Sequence, residues 1–198
     1  MQLSEKQLEL IRAQIARVKA CGNPFYTERF KDVNPEDIKD QASFEKLVPF
    51  CTKQDLRDAY PLGLATVPEE EIVRIHSSSG TTGAPVIVPY TKKDVDDWAI
   101  MFARCYELAG ITKKDRIQIT PGYGLWTAGI GFQAGCEKLG AMAVPMGPGN
   151  TEKQLQMMQD LGSTVICATS SYALLLAEQV ESRGIEKNIK LKKGVIGS

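Results

Sequence analysis

From residue 116 onward the chain alternates between short apolar runs that read as strands and longer runs at helical spacing, and this rhythm constrains the fold more than any other feature. Residues 116–120 read as a strand, 125–139 as a helix, 141–145 as a strand, 151–161 as a helix capped by Thr151, 164–168 as a strand and 170–183 as a helix capped by Ser170; 194–197 opens a further strand. Strands that alternate with helices return to the same sheet through crossovers, so the pattern predicts an α/β architecture with a mostly parallel, helix-flanked sheet. The chain ends on Val195-Ile196-Gly197-Ser198, at the carboxyl end of the last strand. Ligand loops of an open α/β sheet start there, so a truncated domain is expected.

The first seventy residues have a different character. Ser4 with Gln7 three positions on is a capping-box signature, Leu8, Ile11, Ile15 and Val18 follow at helical spacing, and Gly22 ends that helix. Asn23-Pro24 turns the chain. Asn34-Pro35 opens one short helix, Ser43 another, and Thr52 with Asp55 a third. No periodic run here is long enough for a core of its own, which predicts a helical arm over 1–70 packed on a larger domain over 71–198. Near Glu71 strand character begins: 72–75 and 86–89 read as the two strands of a hairpin around a loop at 77–84, and Thr91 caps a helix that Gly110 terminates.

The 24 basic and 24 acidic residues cancel, which removes the electrostatic reason to expect nucleic acid or an anionic membrane surface as partner. No run is long and apolar enough to span a bilayer, and the charged N-terminus is no secretory signal. The cysteines, Cys21, Cys51, Cys105, Cys136 and Cys167, show no C-x-x-C spacing. They read as reduced thiols of a cytoplasmic protein, mostly core or half-buried, and no metal site is expected among them. Met142, Met146, Met157 and Met158 read as core filler.

The chemistry concentrates in Ser77-Ser78-Ser79-Gly80-Thr81-Thr82-Gly83-Ala84-Pro85. Hydroxyls and backbone N–H groups crowd one short turn, and glycine lets the backbone approach a ligand closely, which suits phosphate oxygens. A mobile polar hairpin tip is the alternative on composition alone. A Walker A loop is excluded, because Pro85 stands where its second glycine belongs. Gly129-Ile130-Gly131-Phe132-Gln133-Ala134 fits G-x-G-x-x-A but sits inside a helical pattern rather than after a strand, so close helix packing is the better reading. In Pro121-Gly122-Tyr123-Gly124-Leu125-Trp126-Thr127, glycines and aromatics join a strand end to a helix start; they form either an apolar pocket wall or ordinary core. His76 borders the Ser/Thr/Gly loop without a visible nucleophile, which favours a structural role, and no hydrolytic triad can be assembled.

Taken together these segments resemble the phenylacetate–CoA ligases of the acyl-adenylate-forming, AMP-binding superfamily. The run from Ser78 to Gly83 with Pro85 looks like the superfamily's phosphate loop, and Tyr123-Gly124-Leu125-Trp126-Thr127 like the family's aryl-pocket segment. Gly149-Asn150-Thr151-Glu152-Lys153-Gln154 and Ser170-Ser171-Tyr172-Ala173-Leu174 are similar to further family segments. The resemblance implies that the chain is the N-terminal part of the family's large domain. Ser78, Ser79, Gly80, Thr81, Thr82 and Gly83 would hold ATP phosphates; Tyr123, Gly124, Trp126 and Thr127 would wall the acid pocket; Gly197 and Ser198 would begin the adenine-contacting segment. It implies ATP with Mg2+, CoA and an aryl carboxylic acid as partners, admits a homodimer, and places the catalytic lysine beyond Ser198, so no catalytic residue is expected here. Ala84 stands where the family carries lysine, Trp126 where it carries phenylalanine and Pro121 where an additional tyrosine is common. Two other readings remain open: a non-catalytic phosphate-binding or interaction module, and an NTPase, against which the missing Walker lysine counts.

Overall fold

The computed structural model describes residues 2–78, 80 and 83–197 and divides the chain into two compact units, Met1–Lys92 and Lys93–Ser198. The hairpin around the Ser/Thr/Gly loop lies within the first of these units, together with the helical arm.

In the first unit, α1 (Glu5–Ala20) starts as its sequence demands: the Ser4 hydroxyl accepts from Gln7 N, and the Gln7 side chain accepts from Ser4 N at 2.8 Å. The short helices α2 (Pro24–Arg29), α3 (Gln41–Leu47) and α4 (Lys53–Asp58) follow, with a 3-10 turn at Pro35–Asp37. Asn23 does more than turn the chain. Its side-chain oxygen caps α2, while its amide nitrogen donates to Ala65 O at 2.6 Å. Asp40 rather than Ser43 caps α3, because Ser43 occupies the third helical position of a reciprocal capping box.

The expectation that this arm lacks a core is corrected here. Leu8, Ile15, Val33 and Ile38 form a buried cluster, with Ile11, Phe30, Phe44, Leu47 and Val48 packed against it. One amphipathic helix supplies a continuous apolar stripe, and the short elements each contribute one or two side chains to cover it, so no second periodic run is needed. Strands β1 (Ile72–Ser77) and β2 (Ile87–Thr91) pair antiparallel, with Ser77 opposite Ile87 and His76 opposite Val88. His76 is buried, its ring edge-on to that of Tyr90 at 5.4 Å.

The second unit is the expected α/β layer structure. After α5 (Lys92–Leu108) come β3 (Arg116–Ile119), α6 (Ala128–Leu139), β4 (Met142–Pro145), α7 (Thr151–Asp160), β5 (Val165–Ala168), α8 (Ser170–Ser182) and β6 (Lys193–Ile196). The sheet is parallel throughout, in the order β4-β3-β5-β6. Side chains alternate across it. Ile117, Ile119, Val165 and Cys167 share one buried cluster with Tyr106 and Cys136 of α5 and α6. Ile166 and Ala168 share the other with Leu155 and Met158 of α7 and Leu176 of α8. Each fully buried Ile or Leu of this kind contributes about 1.5–3 kcal/mol relative to exposure. Met142 lies on the edge strand β4 and is 50% exposed, so it is not the core filler expected; Met158, on the sheet-facing side of α7, is.

The glycines of α6 serve helix packing, as their position within a helical pattern predicts. A Cβ on Gly131 would stand 2.6 Å from the Phe102 ring, and one on Gly135 only 2.3 Å from Phe102 Cβ. Caps differ from expectation by one residue. Asn150, in the left-handed region at φ 49°, caps α7 by accepting from Lys153 N, and Thr169 precedes α8. Helix α6 begins at Ala128 instead of 125, because 121–127 is consumed by a turn whose Gly122 carbonyl accepts from Gly129 N at 3.1 Å.

Candidate functional site

The strand order makes the carboxyl edge of the second sheet a ready ligand site. The connection after β3 leads to β4 on one side, the next crosses back to β5 on the other, and the chain then continues outward to β6. Between β3 and β5 the direction of winding reverses, and in open α/β sheets ligands bind in the crevice at that switch point.

A cavity of about 520 Å³ lies there, within the range of small-molecule sites. Thr120, Pro121 and Gly122 line it from the end of β3, Trp126, Ala128 and Phe132 from the start of α6, and Pro148 and Gly149 from the loop after β4. Ala168, Thr169, Ser171 and Tyr172 line it from the end of β5, and Gly197 from the end of β6. None of these side chains is charged. Thr120 stitches the switch point together: it is 2% exposed, and both its N–H and its hydroxyl donate to Cys167 O, at 3.0 and 2.9 Å.

Of the four residues expected in an acid pocket, Trp126 lines the cavity and is 60% exposed. Tyr123, Gly124 and Thr127 occupy the same turn without lining it; the Tyr123 ring lies instead 2.9 Å from where a side chain on Gly129 would begin. Tyr123 is 40% exposed, so neither aromatic is an ordinary core residue, and burial of its remainder pushes its phenol up to about 12. Burial likewise pushes the Cys136 thiol up to about 12 and that of Cys167 up to about 11. Both stay protonated at neutral pH and supply no thiolate nucleophile. The Tyr106 phenol is also raised by burial; it donates to Phe132 O at 3.1 Å and touches Cys167 Sγ at 3.4 Å.

The Ser/Thr/Gly loop belongs to the first unit. Ser79, Thr81 and Thr82, like Ser198, lie outside the described residues. Ser78 closes the mouth of the hairpin, donating its N–H to Val86 O at 3.0 Å while its hydroxyl oxygen accepts from Val86 N at 2.9 Å. Gly80 and Gly83 have φ of +69° and +143°, and Gly83 N donates to Gly80 O at 3.2 Å. Both positions need glycine for the backbone alone. The fold brings to this loop a charge that its own sequence lacks. The guanidinium carbon of Arg57, on α4, lies 3.7 Å from where a side chain on Gly83 would begin. Nothing in the local sequence of α4 signalled Arg57.

Sequence reasoning also missed a buried polar chain behind the cavity. Gln118, Gln154 and Ser163 are at most 1% exposed, and Gln118 Nε2 donates to Gln154 Oε1 at 2.7 Å while Ser163 Oγ donates to Gln118 Oε1 at 2.9 Å. The visible signal was a glutamine within the apolar β3 run. Among the described residues no cluster of three or more His, Cys, Asp or Glu could hold a metal ion, and no helix is long and apolar enough to cross a membrane.

No family model matches the chain. It is 42% identical over 203 aligned positions to a phenylacetate–coenzyme A ligase of Pseudomonas putida, covering 99% of this chain and 45% of that protein. It is 45% identical over 201 positions to one of Aromatoleum evansii, covering 97% and 46%. The crystal structure of a 2-hydroxyisobutyryl-CoA ligase in complex with 2-HIB-AMP and CoA, in the thioesterification state, superimposes with a TM-score of 0.88 at 28% identity, covering 96% of this chain and 42% of that one. The chain spans less than half the length of the curated relatives it matches. Over the length they share, the chain is similar in sequence from end to end to these phenylacetate–coenzyme A ligases and has the same fold as the corresponding part of the 2-hydroxyisobutyryl-CoA ligase.

Proposed function

We propose that the protein to which this chain belongs is an ATP-dependent, AMP-forming ligase that converts phenylacetate or a similar aryl acid into its CoA thioester. The observation that carries this reading is the uncharged, aromatic-walled cavity at the switch point of the sheet, in a chain related along its length to ligases of that name. An aryl group gains by burial among Trp126, Phe132, Pro121 and Tyr172, about 25 cal/mol for each Å² of apolar surface removed from water.

Activation is needed because a carboxylate offers a thiol no leaving group. A carboxylate oxygen attacks the α-phosphorus of ATP, the bond to the bridging oxygen breaks, and pyrophosphate leaves. The CoA sulfur then attacks the acyl carbon, AMP leaves, and the thiol proton passes to solvent. In this reading 78–83 wraps the departing phosphates, with Arg57 beside Gly83 supplying positive charge in place of the lysine that Ala84 replaces. Trp126 walls the acid pocket in one segment with Tyr123, Gly124 and Thr127, and Gly197 with Ser198 opens the adenine-contacting segment. Mg2+ enters with ATP. The five free thiols accord with a reducing cytoplasm.

The complete protein, given ATP, CoA and a panel of aryl and short-chain acids, releases pyrophosphate fastest with an aryl acid such as phenylacetate. No acid-dependent release with any member of the panel overturns the reading.

A further inference from the structure

The wall of the cavity formed by Pro148 and Gly149 is unusual in its backbone. Gly147 and Gly149 have φ of +71° and +77°, and Asn150 follows at 49°, so three of four consecutive residues are left-handed. Such a segment has no ladder of its own and keeps its shape only if its carbonyls are held from outside. Two side chains hold them. Buried Gln154 donates Nε2 to Gly147 O at 2.8 Å and lies 3.4 Å from Gly149 O, and Tyr172 donates its hydroxyl to Gly149 O at 3.1 Å. Gln154 is itself fixed from behind by Gln118, whose Nε2 donates to both Gln154 O and Gln154 Oε1, at 3.0 and 2.7 Å. Both polar atoms of the Gln154 amide are thus served, its oxygen by Gln118 and its nitrogen by the Gly147 carbonyl of the wall.

We propose that Gln154 and Tyr172 are positioning residues that set the bore of the cavity by clamping the 147–149 wall, and so decide how large an acid it accepts. This rests on the aryl-acid reading above. The apolar alternative at position 154 would fill the same volume, but it would leave the Gly147 carbonyl unpaired and the loop free to move outward. A wall that yields loses packing against a small ring and gains room for a larger one. The consequence is a change of preference, and global destabilisation cannot imitate it, because a lower folded fraction scales all affinities alike.

The test is calorimetric titration of the complete protein with phenylacetate and with 2-naphthylacetate, in the unsubstituted form and in Gln154→Leu, Tyr172→Phe and Ser163→Ala. Ser163 feeds the same polar chain at its far end and does not touch the loop. Expected is a shift of the phenylacetate to 2-naphthylacetate affinity ratio by about threefold to fivefold toward the larger acid in Gln154→Leu and in Tyr172→Phe, the scale of one lost hydrogen bond. Ser163→Ala keeps the ratio. An unchanged ratio in both loop variants overturns the proposal while the aryl-acid reading stands. Binding of neither acid by the unsubstituted protein overturns that reading and the proposal with it. Tyr172 itself lines the cavity whereas Gln154 does not, so if Gln154→Leu does not fold, Gln154→Met takes its place and decides the matter.

Discussion

The hairpin loop at 78–83 and the cavity at the sheet edge are built in opposite ways. The loop is one continuous stretch closed by hydrogen bonds between near neighbours, Ser78 with Val86 and Gly83 with Gly80. The cavity draws on the ends of four strands, between Thr120 and Gly197, and exists only where crossovers bring those ends together. A local loop tolerates change elsewhere in the chain. An assembled cavity depends on every packing contact that keeps its strands in register, including those far from its surface. The difference predicts which substitutions each can survive.

The largest effect should come from a residue that touches neither. Gly135→Ala would place a Cβ 2.3 Å from Phe102 Cβ and 2.9 Å from its carbonyl carbon, where backbone blocks relief. Overpacking of this severity should cost about 3 kcal/mol or more in urea denaturation, and should abolish aryl-acid binding at temperatures where the unsubstituted protein binds. Retained acid binding at full stability would break the comparison, because the cavity would then not depend on how α6 seats against α5.

Next in size is an alkaline limb confined to the core of the sheet. Burial raises the thiols of Cys136 and Cys167 from an ordinary value of 9.0 to about 12 and about 11. Above pH 9 the unfolded chain releases these protons while the folded one keeps them, so the unfolded state binds fewer protons and stability falls as pH rises. By pH 10 the loss should be about 1.4 kcal/mol per thiol, and it continues until the folded thiols titrate. Below pH 9 their contribution is fully present. Denaturation between pH 9 and 10 checks this: a double Cys136→Ala, Cys167→Ala variant should show a flatter slope, and an unchanged slope would assign the limb to other groups.

The smallest effect sharpens the comparison from the other side. Ser78→Ala removes the acceptor of Val86 N and should cost about 1 kcal/mol or less at a part-buried site. It should weaken ATP binding severalfold while leaving the phenylacetate affinity unchanged, measured by separate titrations. Equal losses for both ligands would show that the loop and the cavity are not independently built.

Much of the scaffold could be read directly. The Ser4–Gln7 and Thr52–Asp55 capping boxes, the helix opened by Asn34-Pro35, the packing role of the glycines in α6 and the alternation that becomes the parallel sheet all rest on interactions a few residues apart, or on a period that any observer can count. The misses share a cause. Asp40 and Asn150 are caps because of the backbone angle each adopts, and Ser43 and Thr151 beside them are equally good candidates by type. The core of the arm escaped notice because Val33, Ile38 and Phe44 come from separate short elements.

What the amino-acid sequence determined by itself was therefore the class of fold, the position of the Ser/Thr/Gly loop and the chemical character of the segment around Trp126, since each is a property of contiguous residues. Tertiary structure alone decided that Trp126 faces a cavity while Tyr123 turns against Gly129, that Arg57 stands beside Gly83, and that Gln118, Gln154 and Tyr172 converge behind one wall. The reason is physical. A side chain's direction and partners follow from crossover order and strand register, and these are set by the burial of both sheet faces at once rather than by any local run of residues.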